Sequence, residues 1–233
     1  MNLSMSPLDL GAFVLFAVVW LAYEPLLKAV SWRTGSISGE MRLIRRSWMR
    51  AMTLRDNGLT DANLLGHTLN SASFFASSNL ILIAAVGGSV FSGARAVTRV
   101  LEHGAGLAVA STRLVELKLA LVLVCLVRGL LALIWSIRQL NYCLALIGAA
   151  HEGLAPERRI AFADAVGQVL NPALTAFSHG VRAYYFALAG AAWLFGPAPF
   201  IVVTLGAFAL LVWRQAGSPA AAGVRAARAL LDP

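Results

Sequence analysis

The side chains with the most chemistry to offer sit inside apolar runs. Glu24 lies in the first run and is followed by Pro25; Ser77 and Asn79 lie in the second; Arg128 falls near the middle of the third. Arginine keeps its proton at any accessible pH. A guanidinium at the centre of a membrane span costs about 2.5–3.5 kcal/mol on the translocon scale, so it must face protein or water. At a rise of 1.5 Å per residue, Glu24 comes about 24 Å, Arg128 about 21 Å and Asn79 about 20 Å from the outer face. Glu24, Arg128, Asn79 and Ser77 are therefore expected in one intramembrane polar layer, with Glu24 as the partner of Arg128. Such a layer either specifies the fold, relaxes by snorkelling, or serves conduction of an ion or solute.

No other constellation points to catalysis. The sequence has no GxSxG, HExxH, CxxC, Walker or GxGxxG pattern, and no cofactor is expected. His67, His103, His151 and His179 lie in four different segments without a metal-ligand neighbour at helical spacing, so no metal site is expected. Cys125 and Cys143 are 18 residues apart on one apolar run, about 27 Å along a continuous helix, too far for a disulfide.

The elements that must hold these residues follow from composition. Of 233 residues, 59% are hydrophobic and 13% charged, against roughly 25% charged in soluble domains. This predicts an all-α, polytopic integral membrane protein with about five transmembrane helices, or four, plus amphipathic cytoplasmic helices. The first span is expected over 8–27 and should remain as an anchor. The second covers 72–91 and the third 114–137, with helix continuing to Gly148. Asn171-Pro172 reads as a cap and first helical residue, starting a fourth span that ends near Phe195. The Gly196-Pro197-Ala198-Pro199 turn then leads into a short fifth, 200–213. Residues 1–216 read as a single helical membrane domain, with amphipathic segments near 38–69 and 155–171; 217–233 read as a tail.

The second span opens with Asn70 and Ser73 and closes with Gly87 and Gly88. Small and hydroxylated residues at a membrane helix surface are expected to pack against other helices. Ser38 is expected to cap a helix from about Glu40, and Thr60 a short helix before the second span. In the first of these, Met41, Ile44, Trp48 and Met52 share one side while Arg42, Arg46 and Arg50 repeat every four residues on another. That pattern predicts a helix lying on the membrane, its arginines on anionic lipid headgroups. The formal charge of +8 has the same meaning, since no nucleic-acid-binding motif accompanies it. Lys and Arg counts put the N-terminus outside and the C-terminus inside a bacterial inner membrane: none precedes the first span, while Lys28 to Leu69 holds seven.

The run LRDNGLTDANLLGHTLNSASFFASSNLILIAAVGGSVFSG, with the later RQLNYC and VRAYYFALAGAAWLFGP, resembles a bacterial and plant membrane family known as domain-of-unknown-function family 599. The resemblance implies several membrane helices and carries no activity, cofactor or site residue. Two functions fit the residues. One is a homo-oligomeric, channel-like or transport-related protein for an ion or small polar solute. The other is an accessory or scaffold subunit of a larger membrane complex. Its partners are then the lipid bilayer, anionic headgroups, and further copies or complex subunits, without nucleic acid.

Overall fold

The computed structural model describes residues 5–30, 35–55, 57–91, 112–150 and 155–231. The described residues form an all-α protein: α1 (Pro7–Leu21), α2 (Tyr23–Val30), α3 (Ile37–Met52), α4 (Leu59–Phe91), α5 (Thr112–Ala149), α6 (Pro156–Ala192), α7 (Pro197–Ala216) and α8 (Pro219–Ala229). Among the described residues, four helical stretches are long and apolar enough to cross a membrane: Leu59–Phe91, Thr112–Ala149, Pro156–Phe195 and Pro197–Ala229. A fifth exists if α1 and α2, bent by 71°, form one broken span.

Local chemistry sets most of the boundaries. The Ser6 hydroxyl accepts from the Asp9 N–H at 3.1 Å and the Asp9 carboxylate accepts from the Ser6 backbone N–H at 3.3 Å, a capping box with Pro7 at the first position. The break at Ala22 follows from Pro25: its ring conflicts with the carbonyl four residues back, that of Leu21, where α1 stops. Gly196 joins the 3₁₀ turn Trp193–Phe195 to α7 with φ +117°, a conformation that glycine adopts without strain. Pro197 then opens α7, which runs 20 residues rather than the short stretch expected, about 30 Å and enough to span.

Three expected boundaries are corrected. Ser36, not Ser38, caps α3, its hydroxyl accepting from Gly39 N–H, while Ser38 bonds Gln215. Asn57 rather than Thr60 serves the start of α4, accepting from Leu59 N–H at 2.8 Å, and the short leading helix is continuous with the span. Most consequentially, α6 runs through Pro172 without restarting. A proline forfeits a single N–H, and here the turns before it are anchored by Ala163, Val166 and Leu170, all fully buried. Within the tail, Pro219–Ala229 form the helix α8, capped by Ser218.

The chain divides into two compact units. The first comprises Met1–Val30, Ser78–Leu130 and Val181–Val212. Its core is aromatic: Phe16 touches Phe186 and Phe200, and Trp193 stacks on Phe200 at 4.9 Å. Gly190 brings α6 close to α5 there, for an added Cβ would lie 3.4 Å from the Val122 side chain. The second comprises Ser31–Ser77, Leu131–Gly180 and Trp213–Pro233. It buries Met49 and Met52 of α3 with Leu65, Leu140, Cys143, Val166 and Leu170. Arg228 of α8 pairs with Glu40 of α3 at 3.4 Å in this unit. Both cysteines are free and buried, in different units.

Candidate functional site

In the first unit, charged side chains gather where α1 breaks. Glu24 accepts from the Arg182 guanidinium of α6 at 2.7 Å, and that guanidinium also lies 4.6 Å over the Tyr23 ring. Arg128 of α5 lies 5.2 Å over the ring of Trp20, four residues before Glu24 on the other side of the break. The expected Glu24–Arg128 pair is thus corrected: Glu24 pairs with Arg182 and Arg128 stacks on Trp20. Depth arithmetic placed the two charges in one layer but said nothing about which helix faces which. Asn79 is fully buried, and its amide donates to the Leu126 carbonyl at 3.0 Å, cross-linking α4 to α5.

A second charged group of this unit escaped the sequence reading. Asp9 and Lys118 are 7% and 8% exposed. The Trp193 indole N–H donates to the Asp9 carboxylate at 2.8 Å, and the Lys118 ammonium sits 5.5 Å from the Trp193 ring centroid. The Ser-Pro-x-Asp capping pattern signals why a carboxylate belongs there, although nothing in the sequence names Trp193 as its partner.

The expected burial of the polar face of α4 is also corrected. Ala72, Ala76 and Asn79 are the buried positions, whereas Asn70, Ser73 and Ser77 are exposed. The alanine face is the one that meets the rest of the chain. Gly87 and Gly88 provide no close helix approach among the described residues: an added Cβ would meet only Phe91 at Gly87, and nothing within 4 Å at Gly88.

In the second unit, the arginine stripe of α3 meets an acid. Arg46 donates to both oxygens of Asp164 at 2.9 and 2.8 Å, and Arg50 to the same two at 3.2 Å each. The carboxylate raises the Arg46 guanidinium above its usual pKa. Asp164 of α6 thereby holds α3 against α6 in this unit. The apolar side of α3 is turned to protein rather than left for lipid: Met52 enters the core, and the Trp48 indole donates to Asp61 at 2.7 Å. Asp61, fully buried, also pairs with Arg55. Beside Asp164 the α3 and α6 side chains line a cavity of about 460 Å³, including Arg42 and Asn171. Among the described residues no three His, Cys, Asp or Glu come together as a metal site requires.

No curated protein and no solved structure matches the chain. The family described as "Protein of unknown function, DUF599" matches residues 11–220, most of the chain, so this helical protein with four to five potential spans belongs to the DUF599 family.

Proposed function

We propose that this chain is one subunit of a homo-oligomeric membrane protein that passes an ion or small polar solute, with its site at the broken α1–α2 segment. The observation that carries the reading is a coincidence in one place. A 71° break in an apolar helix pair lies two residues from Glu24, which pairs with Arg182, while Arg128 stacks on Trp20 just before the break. Discontinuous spans are where transporters gather backbone and charged groups around a solute, and intramembrane charges are costly enough to point to a functional site. The Glu24 side chain is 47% exposed and that of Arg182 12%, so the carboxylate faces away from the protomer core. The exposed Asn70, Ser73 and Ser77 supply polar groups that a second copy or a water-filled path would cover. The bacterial inner membrane, an outside N-terminus and an inside C-terminus complete the reading, supported by the Lys and Arg counts.

Reconstitution into liposomes tests it, with the mass of the assembly measured in nanodiscs. The expected result is a closed assembly of identical chains, with flux of a small ion or polar solute that Glu24→Gln reduces per folded protein. An assembly completed by a different chain, with no flux, would favour the accessory-subunit role instead.

A further inference from the structure

We propose that the groove between α3 and α6 in the second unit is a binding site for a phosphate ester that also carries a hydroxyl group. One wall comes from α6, where Asp164, Gly167, Gln168 and Asn171 recur at helical spacing on a single face. Arg42, Leu43 and Arg46 of α3 form the other. The space between them, about 460 Å³, suits a small phosphorylated molecule or a lipid headgroup.

The charge of the groove selects an anion. Asp164 already receives two hydrogen bonds on each oxygen from Arg46 and Arg50, which uses its acceptor capacity. It therefore orients the arginines rather than offering itself to a ligand. Arg46 commits only its Nε and one Nη2 hydrogen to that carboxylate, leaving donors on its fork. The Arg42 guanidinium has no carboxylate partner among the described residues. Arg46 and Arg50 converge on the Asp164 carboxylate while Arg42 lines the same groove, and planar forks of this kind match phosphate oxygens.

Two further features make this a shaped site rather than a charged surface. Gly167 is buried, yet an added Cβ would meet nothing within 4 Å, so the cavity persists because this residue lacks a side chain. Glycine weakens the interior of a helix, which makes its place on this wall a departure from good helix design. The second feature is the Asn171 amide. Its nitrogen donates to the Arg42 carbonyl at 3.4 Å, which ties the two walls together, while its Oδ1 is buried with no hydrogen-bond partner. A small turn of this amide would present the acceptor to the groove, where a ligand hydroxyl would supply the missing donor.

Lipid and soluble sources share this chemistry, and the experiment separates them. Protein in phosphatidylcholine nanodiscs is titrated with glycerol 3-phosphate by calorimetry. In parallel, nanodiscs containing phosphatidylglycerol are analysed by native mass spectrometry for retained lipid. Binding in the first arm identifies a soluble phosphate ester, and retention in the second alone identifies the lipid headgroup. In whichever arm binds, Gly167→Leu and Arg42→Gln should each weaken binding by about tenfold or more, the scale of a charge-assisted hydrogen bond. Arg158→Gln, on α6 but outside the groove, should leave it unchanged. Binding in neither arm overturns the proposal. So does an equal loss from Arg158→Gln, which would mean diffuse attraction. Arg42 is exposed, so its substitution remains informative should Gly167→Leu fail to fold.

Discussion

The Glu24–Arg182 pair yields a prediction whose sign depends on what surrounds it. Removing either member takes an ion-pair partner from the other, and the penalty follows how buried the survivor is. Glu24→Gln leaves Arg182, only 12% exposed, without its carboxylate. Breaking a fully buried pair costs about 3–5 kcal/mol. Tyr23 still faces the guanidinium at 4.6 Å, and glutamine can still accept one bond, so about 2–3 kcal/mol is expected. Arg182→Met leaves a carboxylate that is 47% exposed. If water covers that half, the loss is that of an exposed pair, about 1 kcal/mol. The double mutant should then be no worse than Glu24→Gln alone, with a coupling of about 1–2 kcal/mol. Equilibrium unfolding in lipid bicelles measures all three. The reverse order, with Arg182→Met the more damaging, would place the exposed face of Glu24 in hydrocarbon. A water-lined path at the α1–α2 break would then be refuted.

Four further outcomes are expected. Asp61→Asn should cost about 2–4 kcal/mol in the same unfolding assay, because Arg55 and Trp48 both converge on a fully buried carboxylate. Ser77→Leu should leave the unfolding of the isolated protomer within about 0.5 kcal/mol while lowering the oligomer fraction in native mass spectrometry, since Ser77 is exposed on the single chain. Gly190→Leu should destabilise by about 1–3 kcal/mol through overpacking against Val122, read as a lower melting temperature. A C-terminal fluorescent-protein fusion should glow and an alkaline phosphatase fusion stay inactive; the opposite pattern would exclude five spans with an outside N-terminus.

How much of this was legible depended on the range of the interaction. Apolar runs bounded by turn residues announce membrane helices, so the all-α class and the Gly196 turn were readable. Pro172 misled because a proline after asparagine is a common helix start. Its true setting was decided by Val166 and Leu170, whose burial keeps the earlier turns helical. Ser36 and Ser38 both have the chemistry of a cap, and the one left over found Gln215, 177 residues away. The site was half visible for the same reason. Glu24 and Arg128 stand out as charges in apolar runs, but position along a helix gives depth and not neighbours. Arg182, Asp164 and Trp193 acquire their meaning only across helices. Lys118 and Asp9 lie so near the ends of their apolar runs that they read as flanks, although both are buried.

The single-residue link at Gly196 bears on how the protein is made. Of the four potential spans, the one within α6 is the least apolar, and it carries His179 and Arg182. Such a segment partitions poorly into lipid by itself. The link to α7 has no slack in which α6 could wait outside while synthesis continued. The two must enter the bilayer as a helical hairpin, with the more apolar α7 drawing its neighbour in. Lengthening the turn with a flexible insert would uncouple the two insertions, and α6 would be the segment left behind.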